Sequence, residues 1–439
     1  MKNIGIVGLG YVGLTLGIVA AMKKYNIYGV EIQKDIIDSI SNDKAHFYEP
    51  SLDNLIKIHN NKNFFLVDEL KKENKIEVII ITVGTPLNKN DLTPNFEYII
   101  SALKSIKKIY DGSQLIVLRS TVSVGTTRKI VLPYLSRVSG KSIDELLVAF
   151  CPERTIEGKA IHELQSLPQI IGGNNDRAIE MAEELFRKIT PFIIRVESLE
   201  AAELIKLFNN TYRDIHFSIG NAFNEISQKF NIDGIQLIKD ANLGYDRSNI
   251  PMPGFVSGPC LSKDAYLLTY NLINFKCKEF VINSRKYNES LEDTVINWIV
   301  KKCKKNNLSK IGISGLTFKG IPDTSDLRES SSVNIAYNLK KLGYELYLHD
   351  FVANTKELEM LNIGTVFEDI YKLTLNVKML AIMNNNKSYK NINIFQLFNN
   401  LSEPKIILDI WNVMEIYNEI NNIKIYNLGN MLIEDNYEI

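Results

Sequence analysis

A strand that ends in glycines and runs straight into a helix leaves few folds open, and this chain begins with one. Lys2 to Gly8 is a short apolar run carrying Ile4, Ile6 and Val7. It turns over Gly8-Leu9-Gly10-Tyr11-Val12-Gly13 into the helical pattern Leu14–Met22. At such a junction the first glycine makes the turn, the second lets a pyrophosphate approach, and the third lets helix and strand pack closely. A second strand, Ile27–Glu31, places Glu31 18 residues beyond Gly13, where an acid holds a ribose 2′-hydroxyl. A carboxylate there repels the extra phosphate of NADP, so the pattern predicts an NAD site. The competing reading is a glycine turn beside an exposed glutamate, and the strand–turn–helix context argues against it.

Strand and helix patterns go on alternating. Lys75–Val83 is a strand running into Gly84-Thr85-Pro86-Leu87, Tyr98–Ile109 a helix, and Ser113–Arg119 a strand running into Ser120-Thr121-Val122. Ligands of open α/β sheets bind beyond the carboxyl ends of strands, where both loops fall. Leu146–Phe150 leads into Cys151-Pro152-Glu153-Arg154-Thr155-Ile156-Glu157-Gly158, which sets two glutamates beside an arginine at a strand end; Ile170–Gly173 and Phe192–Val196 complete the sheet. From Ser198 to Phe230 the period becomes helical, with Leu204, Phe208, Ile215, Ile219, Phe223, Ile226 and Phe230 recurring without proline. So long a helix reads as a connector between domains, and its apolar stripe suits a dimer. Lys206, Asn210 and Arg213 stack on it at i, i+4 and i+7. A lysine held in a partly dry cleft can serve as a base, so Lys206 is a candidate for base chemistry.

A shorter helical stretch precedes Gly254-Phe255-Val256-Ser257-Gly258-Pro259-Cys260-Leu261-Ser262-Lys263-Asp264, and helical pattern resumes from Asp264 to about Asn306. A thiol at a helix N-terminus sees the positive end of the dipole, which lowers its pKa and makes it a nucleophile. A structural cysteine on a tight turn is the competing reading. Beyond it, Lys310–Leu316 is again a strand ending in glycine. The charged loop Thr317–Ser330, the helix Ser332–Leu342 and the strands Tyr344–Asp350, Lys378–Met383 and Lys405–Asp409 make a second doubly wound sheet. It lacks G-x-G-x-x-G, so a nucleotide part other than NAD is expected there, with Lys319 and Arg328 as phosphate or sugar contacts. Lys+Arg and Asp+Glu balance at 51 each, so nothing predicts nucleic acid or a membrane surface as partner. Cys151, Cys260, Cys277 and Cys303 and the five histidines show no ligand spacing, which predicts neither metal nor disulfides and points to a reducing cytoplasm.

No one of these motifs decides the function; their order does. Gly8-x-Gly10-x-x-Gly13, Gly84-Thr85-Pro86, Ser120-Thr121-Val122, Pro152-Glu153 with Glu157-Gly158, Lys206-x-x-x-Asn210-Thr211-Tyr212-Arg213, Cys260 with Lys263-Asp264, and Phe318-Lys319 with Asp326-Leu327-Arg328 together resemble the UDP-glucose/GDP-mannose dehydrogenase family nearly end to end. The resemblance implies an α/β chain of two Rossmann-like doubly wound parallel-sheet domains joined by a central helical region with a long connecting helix. Residues 1–197 would bind NAD, 198–306 would carry dimerisation and the catalytic lysine and cysteine, and 307–439 would bind a UDP-sugar.

The activity implied is a four-electron oxidation of the sugar's C6 alcohol to a carboxylate. Lys206 and Asp264 take the hydroxyl proton, Cys260 adds to the aldehyde, and Asp264, Glu157 and Thr121 activate or hold the water that cleaves the thioester. Glu153 and Asn210 are implied as substrate contacts that also stabilise oxyanions. Arg154, Lys206, Arg213, Gly254, Gly258, Phe318 and Lys319 are implied as further substrate contacts, with Arg247 reaching a dimer partner's sugar. Gly8, Gly10, Tyr11, Val12, Gly13, Glu31, Gly84, Thr85, Pro86, Ser120, Thr121, Glu157 and Arg328 form the implied cofactor side. The sequence departs from the family pattern at Val256-Ser257 and Leu261-Ser262, where many members carry a second glycine and a proline, and Gly320-Ile321-Pro322 lengthens the last charged loop. These features look more like the subgroup that oxidises UDP-N-acetyl-D-mannosamine, with UDP-N-acetylglucosamine and UDP-glucose as alternatives. A two-electron hydroxyacyl-type dehydrogenase leaves Cys260 and the last domain without a role. An NAD-binding non-enzyme leaves the Lys206, Asn210, Cys260 and Asp264 set idle.

Overall fold

The computed structural model describes residues 2–398, 401–416, 418–420 and 422–433. Its contacts divide the chain into two units, Met1–Asn210 with Lys263–Phe275, and Thr211–Ser262 with Lys276–Ile439. The first holds strands β1 (Asn3–Val7), β2 (Asn26–Val30), β3 (Phe64–Leu66), β4 (Val78–Ile81), β5 (Leu115–Leu118), β6 (Val148–Phe150), β7 (Gln169–Gly173) and β8 (Ile193–Arg195), in the order β3-β2-β1-β4-β5-β6-β7-β8. All residues of β4 and β5 are buried, which is why those strands read as unbroken apolar runs. Val78, Ile80, Leu115 and Val117 pack into the core on one face, and Ile79, Ile81, Ile116 and Leu118 into the core on the other. The strand order reverses between β1 and β4, opening a crevice beyond their carboxyl ends.

The sheet departs from a purely parallel one at β7, which runs antiparallel to β6, pairing Phe150 with Gly172. An antiparallel partner starts at the edge where β6 stops. The connecting segment, with its short helix Ala160–Ser166, therefore stays at the carboxyl edge of the sheet.

The second unit repeats the plan with β9 (Lys310–Ser314), β10 (Glu345–His349), β11 (Thr365–Val366), β12 (Met379–Ile382), β13 (Lys405–Asp409), β14 (Asn418–Ile420) and β15 (Ile423–Asn427), ordered β11-β10-β9-β12-β13-β15-β14. Only β14 is antiparallel to its neighbour among the described strands of this sheet. The helical stretch expected from Asp264 to Asn306 is two helices, Leu261–Thr269 and Lys276–Lys305, parted where Asn274 takes a left-handed φ of 61°. No helix among the described residues is long and apolar enough to cross a membrane.

The long helix runs from Leu199 to Lys229, close to its expected bounds. The apolar stripe expected to suit a dimer faces outward. Phe208, Tyr212, Ile219, Phe223, Ile226 and Phe230 lie exposed, Phe230 at 71%, while Glu203, Lys206, Asn210, Asp214, Asn221, Asn224 and Gln228 are buried. A helix can bury polar side chains only when each finds a hydrogen-bond partner, so the inner face is defined by what it binds.

The helix after β1, Tyr11–Met22, is buried without a break from Gly13 to Ala21. A methyl group on Gly13 would land on the Gly8 carbonyl oxygen, with Thr82 Oγ1 at 2.7 Å, whereas one on Gly10 would meet nothing within 4 Å. Gly13→Ala is therefore expected to cost about 1–3 kcal/mol in chemical denaturation, and Gly10→Ala to stay within about 0.5 kcal/mol of the parent. Equal losses for the two would refute this reading of the loop.

Candidate active site

The crevice over β1 and β4 is lined by loops that bond to one another. Glu31, just past β2, accepts the N–H of Leu9 at 2.7 Å on one oxygen and those of Ile32 and Gln33 at 2.8 and 3.0 Å on the other. It braces the glycine loop from the side where a ribose would lie. Gly10 faces open space, and the first N–H groups of the following helix have no partner inside it. Open backbone at a helix N-terminus beside a fixed carboxylate fits a dinucleotide diphosphate and its ribose. Ser120 Oγ donates to the Val83 carbonyl at 2.6 Å, and Thr85 Oγ1 donates to the Thr121 carbonyl, stitching together the loops after β4 and β5.

Glu153, beyond β6, is buried. Arg119 Nε and Nη2 donate to one of its oxygens at 3.1 and 2.5 Å, and the N–H groups of Arg154 and Thr155 donate to the other at 2.7 and 2.8 Å. Burial alone would raise its pKa, but the Arg119 charge and the backbone N–H groups outweigh it and hold the carboxyl below its usual range. Four donors fill the lone pairs of a carboxylate. The expected oxyanion-stabilising role for Glu153 does not suit a saturated anion. Arg119 also donates to the Cys151 carbonyl at 3.0 Å and to Gln169 Oε1 at 2.8 Å. Arg154 is half-buried, and its guanidinium donates to the Pro168 carbonyl.

Arg119 and Glu49 were missed in the sequence. Arg119 had a visible signal, a charged residue closing an otherwise apolar strand. Glu49 had none. It is buried, accepts the Tyr11 hydroxyl at 2.8 Å and the Gly158 N–H at 2.8 Å, and so ties the glycine loop to the loop of Glu157. Burial first, and then the Glu49 charge, push the Tyr11 phenol far above its ordinary pKa, so it stays a donor. Glu157 itself is half-buried and close enough for its charge to act on Tyr11.

The inner face of the long helix brings the rest of the first unit together. Glu203 accepts the N–H groups of Gly125 and Thr127 at 2.5 and 2.9 Å and the Thr127 hydroxyl at 2.6 Å, fixing the loop that carries Thr121. Lys206, one turn on, is 7% exposed, and its charge acts on Glu153. Asn210 Nδ2 donates to Asp264 Oδ2 at 2.6 Å, while Lys263 Nζ meets Asp264 Oδ1 at 2.7 Å. Asp264 is 1% exposed and lies in the first turn of the helix Leu261–Thr269. A buried carboxylate between an ammonium and an amide, with a buried lysine on the same helix face as that amide, can accept and pass a proton.

In the second unit Cys260 stands immediately before that helix, exposed and outside any disulfide. Gly258 has a left-handed φ of 92°, and a methyl there would meet the Phe318 ring at 2.5 Å; the Trp411 ring packs against Gly254, a contact with no trace in the sequence pattern. Lys319 Nζ lies 5.4 Å above the Phe318 ring. Arg328 folds onto its own loop, with Nη2 2.6 Å from Asp326 Oδ2. Arg213 is exposed, and the Arg247 guanidinium covers the Tyr245 ring at 4.9 Å.

Comparison with known proteins gives the family and the fold. Residues 2–190, 200–290 and 312–416 match the NAD binding, central and UDP binding domain models of the UDP-glucose/GDP-mannose dehydrogenase family. The UDP-N-acetyl-D-mannosamine dehydrogenase of Campylobacter jejuni is 32% identical over 346 residues, covering 77% of this chain and 83% of the relative. That of Methanococcus vannielii is 32% identical over 368 residues, covering 82% of each. Among solved structures, the UDP-D-ManNAc dehydrogenase of Pyrococcus horikoshii superposes with a TM-score of 0.85 at 26% identity, over 98% of this chain and 100% of that one. The UDP-N-acetyl-mannosamine dehydrogenase of Staphylococcus aureus gives 0.84 at 26% identity, over 98% and 99%. The chain thus belongs to the UDP-glucose/GDP-mannose dehydrogenase family, whose members are NAD-dependent oxidoreductases acting on nucleotide sugars.

Proposed function

We propose that this protein oxidises the C6 alcohol of UDP-N-acetyl-D-mannosamine to the carboxylate in two successive two-electron steps. The observation that carries the reading is the Asp264 carboxylate, buried between Lys263 and Asn210 in the first turn of the helix that Cys260 precedes. The substrate rests on the names of the similar proteins. The proposed division of labour is residues 1–197 for the cofactor, 198–306 for dimerisation and the catalytic lysine and cysteine, and 307–439 for the UDP-sugar.

NAD, bound as a fresh molecule for each of the two steps, would supply the hydride acceptor, held by the Gly8–Gly13 loop, Glu31, Gly84-Thr85-Pro86, Ser120 and Thr121. Lys206 and Asp264 take the C6 hydroxyl proton as the alcohol becomes an aldehyde. The Cys260 thiolate then adds to that aldehyde, forming a C–S bond and an alkoxide that Lys206 and Asn210 stabilise. Loss of the second hydride leaves a thioester. Asp264, with Glu157 and Thr121, directs a water at the thioester carbonyl, the C–S bond breaks, and Cys260 leaves as thiolate. Glu153, saturated by donors, serves here as a fixed counter-charge to Lys206. Phe318, Lys319 and Gly258 are the proposed contacts to the nucleotide sugar, with Arg154, Arg213, Arg247, Gly254 and Arg328 as outlying candidates.

The exposed stripe from Phe208 to Phe230 supports a homodimer through the long helix, because so many large apolar side chains along one face are costly to leave wet. Sedimentation velocity should show a dimer, and Phe223→Asp with Ile226→Asp should shift it to monomer. A monomeric parent would remove this part of the proposal.

Purified protein given a panel of UDP- and GDP-sugars should release two NADH per UDP-N-acetylmannosamine and yield the uronic acid. One NADH per sugar with free aldehyde would refute the four-electron course, and a preference for UDP-N-acetylglucosamine or UDP-glucose would move the substrate within the family. Cys260→Ala should abolish acid formation while leaving NAD affinity unchanged, and an undiminished acid yield would clear the thiol of its role.

A further inference from the structure

From Pro251 to Gly258 the backbone forms neither helix nor strand, so its polar groups depend on partners from elsewhere. Asn221 takes both groups of Gly254, accepting from its N–H at 2.8 Å and donating to its carbonyl at 3.1 Å. Arg285 donates Nη2 to the Val256 carbonyl at 2.9 Å and Nη1 to the Leu261 carbonyl at 3.2 Å. The Glu329 carbonyl accepts the Gly258 N–H at 2.8 Å. Behind these anchors, Asp214 lies 2.9 Å from Arg285 Nη1. Asn288 donates to the Asp214 carboxylate and carbonyl at 2.8 Å each, and accepts from Asn221 at 2.9 Å.

Asp214 and Asn221 lie on the inner face of the long helix, and Arg285 and Asn288 on the helix Lys276–Lys305. Arg285, at 2% exposure, is among the largest fully buried side chains in the protein. Its two carbonyl partners flank Cys260, one before it and one after. A guanidinium is a rigid planar fork, so it fixes how far apart those carbonyls stand and with them the arc that presents the sulfur.

We propose that Arg285 and Asn221 are positioning residues for Cys260, and that the buried chain Asp214–Arg285–Asn288–Asn221 holds the nucleophile's loop in register for attack on the bound aldehyde. The inference rests on the four-electron reading above. A buried ion pair serving stability alone would leave the chemistry untouched in any variant that still folds.

Arg285→Lys keeps a charge beside Asp214 but loses the fork, and Asn221→Ala releases Gly254 with no change of charge. Both are made in a Cys277→Ser parent, because Cys277 is exposed whereas burial pushes the Cys151 and Cys303 thiols up to about 12, leaving Cys260 as the thiol that iodoacetamide reports. Folded variants, judged by circular dichroism and melting, should bind NAD like the parent. Their kcat for acid should fall by about 10- to 100-fold with KM little changed. NADH per sugar should drop from two toward one as trappable aldehyde appears, and the pH profile of Cys260 alkylation should shift. A folded variant with parental kcat, stoichiometry and alkylation profile overturns the proposal. If Arg285→Lys does not fold, Asn221→Ala decides. If the parent itself releases one NADH per sugar, the four-electron reading has failed, and the alkylation profiles of the two variants still decide the positioning role.

Discussion

The long helix is built inside out, and much of the site depends on that. Its buried face carries carboxylates, a lysine and amides, and most of them pair with groups on segments distant in sequence. Glu203 holds the turn at Gly125–Thr127, Asn210 holds Asp264, Asn221 holds Gly254, and Asn224 and Gln228 both donate to the Leu428 carbonyl. Apolar side chains at these positions could not replace them, because the loops would then bury unpaired N–H and C=O groups at about 1–3 kcal/mol apiece. The helix works as a rack of hydrogen-bonding groups, and its apolar side is left facing outward.

The sheet of the first unit supplies the complementary rigidity. Strands buried on both faces end together at one edge, and the loops beyond β1, β4, β5 and β6 meet there. The antiparallel turn of β7 keeps the Cys151–Pro168 segment on that edge, where Arg119 and Glu49 pin it at Glu153 and at Gly158. Charged side chains buried this deeply stabilise little in net terms, since desolvation offsets most of the attraction. What they supply is placement.

Most of the strands were legible because continuous apolar runs between turn residues have few other uses. The strands that escaped were β3, β11, β14 and β15, either very short or, in β15, interrupted by Lys424. The glycine loop, the position of Glu31 and the thiol before a helix were also legible, since each is a local pattern with a local cause. Periodicity located the long helix but could not say which side lay inside, because that is settled by loops distant in sequence. The same limit hid Glu49, Arg285 and Trp411. Nothing in the neighbourhood of a buried residue in the sequence names the carbonyl it will meet.

Asn221 shows how narrow such a solution is. Its amide gives a hydrogen to the Gly254 carbonyl and takes one from the same residue's N–H, so it closes a ring with a single loop residue. Aspartate has the same shape but lacks the hydrogens, and would set a negative charge against a carbonyl oxygen. Glutamine has the right atoms one methylene too far out. Slow chemical ageing of that one side chain, by hydrolysis of its amide, would therefore disturb the loop that leads to Cys260 without touching the thiol, and a worn molecule would keep every side chain of that loop and still lose its shape.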